Sequence, residues 1–158
     1  MSAQRNLDAM HQYFDLLFGK NMDELLSMFA DDIDWYIVPV NTTIHGKIQF
    51  RSMAENHWSA SPDRVKKLLN VFASDDYACL EYVTSGTLDS DVDFTTAKVG
   101  ATGRTYELQC CFVFHFDKRG LIDNVREYFD MATVQRFAPV EQIASPNSAP
   151  IGREKGSG

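Results

Sequence analysis

Asp130 is the most informative of the side chains in this sequence that could move a proton. It directly follows Tyr128 and Phe129 at the end of a strand-like segment, and mainly apolar residues come after it. A carboxyl group enclosed by apolar residues is harder to ionise, so its pKa moves towards the range useful for a general acid or base. An N-cap for a helix over residues 132–137 explains the same position equally well.

Four further side chains are candidates to share a cavity with such an acid. Tyr13 lies on the flank of the first helical stripe, Trp35 lies in the first strand, and His57 and Trp58 fall on the apolar face of the third helix. Each also has a purely structural interpretation. The Tyr13 hydroxyl can reach water from the stripe edge, and His57 and Trp58 can be an ordinary core pair.

Metal and cofactor chemistry find no support in the motifs. The four histidines lack the short paired spacings typical of metal ligands. Cys79, Cys110 and Cys111 are read as free thiols, because neighbours in one strand point to opposite faces and rarely pair. The sequence contains no G-x-G-x-x-G, P-loop or G-x-S-x-G motif. We therefore expect a small-molecule site without cofactor or metal.

Composition excludes several classes of partner. The chain has 158 residues and a net charge of −7, from 15 basic and 22 acidic side chains. Nucleic-acid binding needs a basic face, which the sequence lacks, and no basic patch suggests an anionic membrane. No apolar run approaches the roughly 20 residues that cross a bilayer, and the start of the chain is unlike a signal peptide. A cytoplasmic location is expected.

Helical patterns dominate the first third of the chain. Apolar residues recur at helical spacing over 6–18, and Asn21 with Glu24 forms a capping-box pattern that opens a second helix ending near 31–32. A third helix is predicted over 47–59. Between the second and third helices, residues 33–40 are typical of a short strand, followed by a loop that finishes at Gly46.

Strands fill the rest of the predicted domain. They are expected over 65–73, 77–88, 104–116 and 121–130, with a polar stretch over 89–103. Helices followed by an antiparallel meander predict an α+β fold, in which a curved, mainly antiparallel sheet packs on three N-terminal helices. One domain is expected over 1–138, and a disordered tail over 139–158, which is rich in Pro, Ser and Gly.

Alternation identifies the inner face of one strand. Tyr106, Leu108, Cys110, Phe112, Phe114 and Phe116 share a face of the 104–116 strand, and this face is predicted to point inward. In the 77–88 strand the register stays open, with Tyr82 on one of the two possible faces. Arg126 and Glu127 are interpreted as an ordinary charged strand surface.

Short segments in order along the chain carry a family resemblance. The segments 21–25, 29–32, 102–104 and 125–130, together with Gly46, make residues 7–137 resemble the SnoaL-like polyketide cyclases. This family lies in the nuclear transport factor two-like superfamily, beside the ketosteroid isomerases and limonene epoxide hydrolase. The resemblance implies a cone-shaped α+β barrel with a deep apolar cavity. It also implies a homodimer formed through the outer face of the sheet.

The same resemblance implies roles for two residues. Asp130 occupies the place of the catalytic acid that closes the last strand in the cyclases and the epoxide hydrolase. Tyr13 falls where a helix-one tyrosine of the ketosteroid isomerases donates a hydrogen bond to the oxyanion. Trp35, Tyr82 and Thr84 fall at positions where the epoxide hydrolase has its water-positioning and charged residues. Their side chains do not supply the same chemistry, so epoxide hydrolysis ranks third among the expected functions.

The leading hypothesis is therefore a cofactor-independent isomerase, cyclase or lyase in which Asp130 and Tyr13 are catalytic. Its substrate is expected to be a small apolar carbonyl or polyketide-like compound. The alternative is a non-catalytic binding or interaction module of the same fold. The residues expected to bind the ligand are Phe14, Leu17, Trp35, His57, Trp58, Tyr82, Phe112, Phe114 and Tyr128.

Overall fold

The computed structural model describes residues 2–143. Its helices are α1 (Ala3–Leu16), α2 (Met22–Leu26), α3 (Gly46–Ser59) and α4 (Met131–Phe137). Its strands are β1 (Phe29–Ile37), β2 (Thr42–His45), β3 (Val65–Ala73), β4 (Tyr77–Thr87), β5 (Val92–Asp93), β6 (Ala97–Val99), β7 (Thr105–Phe116), β8 (Ile122–Phe129) and β9 (Val140–Gln142). A search of the described helices for a span long and apolar enough to cross a membrane found none.

Six strands form one sheet in the order β2-β1-β8-β7-β4-β3. Strands β1 and β8 run parallel, and the other neighbours in this sheet run antiparallel. The twist of long strands curves such a sheet, and its concave face packs against α1 and α3. The predicted α+β class, with helices on a curved and mainly antiparallel sheet, is confirmed.

Helix α1 is fixed at both ends. Ser2 caps its N-terminus by accepting a hydrogen bond from the backbone N–H of Arg5. At its C-terminus, the Lys66 ammonium donates to the carbonyl oxygen of Leu17 at 2.8 Å and also to that of Phe14. The buried Asn6 amide binds the β3–β4 turn through two backbone carbonyls. These anchors hold the helix face that carries Tyr13 against the sheet.

Helix α2 begins where the capping-box pattern predicts and ends earlier than expected. The Asn21 side chain accepts from the Glu24 backbone N–H at 3.1 Å, and its amide donates to the Glu24 carboxylate at 2.7 Å. The predicted continuation to residues 31–32 is wrong, because Phe29 already starts β1. Phe29 is fully buried and pairs with Ile122 of β8, so tertiary pairing overrides helical spacing.

The end of β1 also differs from the prediction. The strand stops at Ile37, and Val38–Val40 form a 3₁₀ turn that contains Pro39, whose ring nitrogen cannot donate to a sheet. The segment predicted as a loop up to Gly46 contains β2, which pairs with β1. The chain therefore makes a hairpin here before entering α3.

A second, three-stranded sheet contributes Val92 and Val99 to the lining of a cavity described below. Strands β5 and β6 form within the stretch 89–103 that was predicted to be polar, and β9 completes the sheet in the order β5-β6-β9. Strand β9 lies within the segment predicted as a tail. Residues 144–158 lie outside the described residues, so the predicted disorder of the tail stays a prediction there.

The register of the long strands decides which side chains face inward. Phe112 of β7 pairs with Leu80 of β4 on one side and with Glu127 of β8 on the other. The predicted inner face of β7 is confirmed, since Cys110, Phe112, Phe114 and Phe116 are all buried. The open register of β4 is decided as well, with Ala78, Leu80, Tyr82 and Thr84 inside. All three cysteines are free thiols.

Candidate functional site

A cavity of about 130 Å³ lies between the helices and the concave face of the large sheet. A single water needs roughly 10–15 Å³ on the same measure, so the space suits a small organic molecule. The lining residues are Tyr13, Leu17, Phe18, Trp35, Phe50, Met53, Ala54, His57, Trp58, Arg64, Tyr82, Thr84, Leu88, Val92, Phe94, Val99, Tyr106, Leu108, Cys110, Phe112, Glu127, Phe129, Val134 and Phe137.

Aromatic rings build the walls of this cavity. Tyr82 stacks on Phe112 with ring centroids 5.4 Å apart, and Trp35 contacts Phe112 edge-on at 5.8 Å. On the other side, Phe18 meets Trp58 at 5.6 Å. Such ring pairs contribute stability beyond that of the buried area. The aromatic contacts therefore stabilise the walls of the cavity.

Glu127 supplies the carboxyl group inside the cavity. It lies in β8 opposite Phe112, and burial raises the pKa of its side chain from 4.5 to about 7. The Trp35 indole N–H donates to its Oε2 at 3.5 Å, and this bond and the positive charge of Arg64 partly oppose the rise in pKa. Near neutral pH, Glu127 is therefore present in both the acid and the carboxylate form, as a general acid–base group requires.

Two tyrosine hydroxyls belong to the same cavity. Tyr13 and Tyr82 are both buried, and burial raises the pKa of each well above 10.0. The charge of Glu127 adds to the rise for both. Both hydroxyls therefore stay protonated at neutral pH. Among residues 2–143, neither hydroxyl has a hydrogen-bond partner, so each can donate to a ligand.

His57 is a neutral member of the lining. Burial lowers the pKa of its imidazole to about 4. Its Nε2 lies 3.0 Å from the backbone carbonyl oxygen of Asp93, which can only accept, so Nε2 carries the proton. The ring packs edge-on against Phe94 at 4.6 Å. His57 is therefore uncharged at neutral pH, with Nδ1 as its free acceptor.

Three further polar side chains of the lining have a fully buried atom without a partner. Buried atoms that make no hydrogen bond among residues 2–143 are Nε of Arg64, Oγ1 of Thr84 and the hydroxyl oxygen of Tyr106. Arg64 is held in place by its Nη2, which donates to the His57 carbonyl oxygen at 2.8 Å. Its guanidinium carbon lies 4.7 Å from the centre of the Phe18 ring.

The predicted enclosure of the Asp130 carboxylate is wrong. Its side chain is 60% exposed, and it caps α4 by accepting from the Ala132 backbone N–H at 3.0 Å and the Thr133 hydroxyl at 2.7 Å. These bonds, with the positive charge of Arg136, lower the pKa of the carboxyl group. The N-cap interpretation is confirmed. Phe129 is the last inward residue of β8, so Asp130 falls on the opposite side.

Seven of the predicted binding or catalytic residues do line the cavity: Tyr13, Leu17, Trp35, His57, Trp58, Tyr82 and Phe112. Besides Asp130, three others do not. Phe14 lies beneath the Lys66 ammonium, and Phe114 packs in the core 5.1 Å from the Tyr13 ring. Tyr128 lies on the outer face of the sheet, where its hydroxyl accepts from Arg126 Nε at 2.9 Å.

Glu127, Arg64 and Thr84 are the polar lining residues that sequence reasoning missed. A signal for Glu127 existed, because it alternates with Val125 and Phe129, which are apolar and point inward. Its interpretation as part of a charged strand surface holds for Arg126, which is exposed, and is wrong for Glu127. No spacing signal marks Arg64, because it lies just before β3.

The part of the chain that the structure describes contains no group of three His, Cys, Asp or Glu side chains able to hold a metal. The structure has the class of fold called nuclear transport factor two-like. A curved six-stranded sheet packs against helices, and a mainly apolar cavity lies between them. The chain belongs within this class to the SnoaL-like domain family, whose model matches residues 10–125.

Solved structures share this fold at low sequence identity. A protein from Jannaschia sp. CCS1, assigned as a SnoaL-like polyketide cyclase, superimposes with a TM-score of 0.75 at 14% identity, over 85% of this chain and 92% of that chain. An NTF2-like protein from Burkholderia xenovorans LB400 has a TM-score of 0.68 at 21% identity, over 88% and 99%. A comparison with curated proteins found no match. These similarities show the fold.

Proposed function

We propose that the protein catalyses a proton transfer on a small apolar carbonyl compound, with Glu127 as the general acid–base group. One observation carries the proposal: within residues 2–143, Glu127 is the carboxyl group that lines a mainly apolar cavity, and its pKa is about 7. The hypothesis of an isomerase or cyclase is thereby kept, and the catalytic role moves from Asp130 to Glu127. The similarity to a structure assigned as a polyketide cyclase supports the same reaction class.

The chemistry follows from the groups that meet in the cavity. The Glu127 carboxylate takes a proton from the carbon next to the carbonyl, and the electron pair of that C–H bond moves to the oxygen as an enolate. The hydroxyl of Tyr13 or Tyr82 donates a hydrogen bond to this oxygen. In an isomerisation of a β,γ-unsaturated substrate, the enolate is conjugated with the C=C bond, so protonated Glu127 returns the proton to the γ-carbon while the carbonyl re-forms and the double bond moves. In a cyclisation, the enolate carbon attacks a second carbonyl instead, and Glu127 protonates the new alkoxide.

Hydrogen–deuterium exchange at the substrate carbon tests this proposal, and it requires no identified product. Small cyclic ketones such as 1-indanone and 2-tetralone are incubated with the protein in D₂O, and loss of the signal of the α-proton is followed by NMR. The exchange rate is expected to rise with pH through an apparent pKa near 7, because only the carboxylate form of Glu127 accepts a proton. Exchange no faster than in buffer containing an equal concentration of acetate would contradict the proposal.

The alternative of a non-catalytic binding module makes a different prediction in the same experiment. Binding of a ketone without exchange would favour it. Ketone binding is readily detected, because both tryptophans of the chain, Trp35 and Trp58, line the cavity.

We also propose that two copies of the chain associate through the outer face of the large sheet. Apolar side chains are exposed there, including Phe72 at 58% and Tyr77 at 53%. Replacing Phe72 by lysine is expected to convert a dimer into a monomer, because it places a charge in an apolar surface that the dimer would bury. Light scattering during gel filtration measures the mass. Ile48, which is 87% exposed on α3, offers a matched control as Ile48→Lys. A monomeric wild-type chain would contradict this proposal.

A further inference from the structure

Three fully buried polar atoms without a hydrogen bond belong to side chains that line the cavity. Among residues 2–143, the side-chain polar atoms that are themselves fully buried and make no hydrogen bond belong to Arg64, Thr84 and Tyr106, and all three residues line the same space. Buried polar groups are normally satisfied, and those that are not call for an explanation. Three side chains of the lining therefore have unused hydrogen-bonding capacity, which a molecule bound beside them can use.

Strand pairing places these three residues at one end of the cavity. Tyr106 pairs with Gly86, and a Cβ atom at Gly86 would lie 3.3 Å from the Arg64 Cα. Thr84 lies two residues before Gly86 on the same face of β4. The start of β3, the end of β4 and the start of β7 therefore meet here.

Glu127 lies further along the same cavity. It pairs with Phe112 of β7, whereas Thr84 pairs with Leu108 of that strand. The four residue steps from Leu108 to Phe112 span about 13 Å along the strand. A ligand that reaches both ends is thus elongated, with one polar group at the Arg64 end and its reacting carbon near Glu127.

Arg64 brings a positive charge to the cavity, where the carboxyl groups of Asp63 and Glu127 lie near enough to interact with it through space. Among residues 2–143, its guanidinium forms no ion pair with a carboxylate. The neighbouring Asp63 is engaged elsewhere, because its carboxylate accepts from the Thr87 backbone N–H at 2.8 Å and from the Thr87 hydroxyl at 2.7 Å. A partly buried cation that forms no ion pair favours an anionic ligand, because direct pairing offsets the cost of burying the charge.

We propose that the ligand is a small apolar carboxylic acid whose carboxylate binds Arg64, with the hydroxyls of Thr84 and Tyr106 as further donors. Guanidinium–carboxylate hydrogen bonds are charge-assisted and stronger than those to a neutral carbonyl. This substrate class makes the proposed function more specific. It rests on the proposed function only for the reaction at Glu127. The carboxylate-binding end stands on its own observations.

The test compares each acid with its neutral amide. The probes are 3-phenylpropionate with 3-phenylpropionamide, and cyclohexylacetate with cyclohexylacetamide. Quenching of Trp35 and Trp58 fluorescence measures their dissociation constants at pH 6, where Glu127 is mostly protonated and does not repel the anion. The wild-type protein is expected to bind each acid about 10–100-fold more tightly than its amide.

Substitutions then locate the anion. Arg64→Met is expected to remove this preference while changing amide affinity less than about threefold, and Arg64→Lys to retain part of it. Arg119 lies in the exposed turn between β7 and β8, so Arg119→Met is the matched control and should keep the full preference. Thermal unfolding checks that each variant is folded. The wild-type comparison stands even where Arg64→Met does not fold.

Several results would overturn the proposal: equal or tighter binding of the amides, a preference that survives in Arg64→Met, or no binding of either acid at millimolar concentration. Failure of the proposed function looks different. If ketone exchange fails and the acids still bind through Arg64, the carboxylate site stands and the proton-transfer role of Glu127 falls. Binding in Glu127→Gln, which is expected to keep the preference for the acids, separates the two ends.

Discussion

Replacing Glu127 by glutamine is expected to lower the rate of α-proton exchange by about 10²–10⁴, which is the usual contribution of one general base. The amide has nearly the same shape as the acid and cannot accept the proton. It can still accept a hydrogen bond from the Trp35 indole, which lies 3.5 Å from the Glu127 carboxylate. Affinity for the ketone should therefore change little. The NMR exchange assay measures the rate, and tryptophan fluorescence measures binding.

The matched control is Asp130→Asn, three residues further along the chain. Asp130 is exposed and caps α4, so its amide variant should exchange α-protons at the wild-type rate. Asparagine is also a good N-cap residue, so stability should change little. The opposite outcome, with activity lost in Asp130→Asn and retained in Glu127→Gln, would return the catalytic role to Asp130.

The second large effect concerns stability and pH. The pKa of Glu127 is raised from 4.5 to about 7 in the folded protein. The folded state therefore prefers the protonated acid, and this contribution is fully present below pH 4.5. It is lost as the pH rises through 7, because deprotonation is then easier in the unfolded chain. A shift of this size corresponds to about 3 kcal/mol.

Glu127→Gln removes this dependence, since its side chain does not titrate. Relative to the wild type, the variant is expected to gain up to about 3 kcal/mol of unfolding free energy between pH 4.5 and pH 8.5. Urea unfolding at both pH values measures the difference. His57 titrates with the opposite sign, because burial lowers its pKa to about 4, and its effect cancels because both proteins contain it. Parallel stability curves for the two proteins would show that Glu127 is not buried as an acid.

The two predictions have one physical origin. Removing the Glu127 carboxyl group from water makes its charged form unfavourable, which costs stability at alkaline pH and creates a base that is effective near neutrality. A Glu127→Gln variant that is more stable at pH 8.5 and does not catalyse α-proton exchange would show directly that stability is lost in return for activity.

Much of the architecture could be predicted from local patterns. Helical spacing located α1 and α3, Asn21 and Glu24 located the start of α2, and alternation located β3, β4, β7 and β8 to within a residue or two. The inner face of β7 followed from one strand alone, because six apolar or aromatic residues share its parity. Family membership followed from short segments in the correct order.

Errors arose where a distant segment decides a local structure. Phe29 continues the helical spacing of α2, yet pairing with Ile122 places it in a strand. Strand β2 needs β1 as its partner, and β5 and β6 need each other and β9. Local propensity cannot supply these contacts, because each joins residues that are separated along the chain.

The sequence by itself determined the fold class, the aromatic lining and the presence of one carboxyl group near the end of the last long strand. Only the tertiary structure decided which carboxyl group that is. Glu127 and Asp130 are three residues apart, and a strand turns successive side chains to opposite faces. Pairing of Glu127 with Phe112 fixes it inside, and the start of α4 turns Asp130 to solvent. Burial of Glu127 arises only when the sheet and helices assemble. The raised pKa of its carboxyl group, which burial causes, therefore also depends on the tertiary structure.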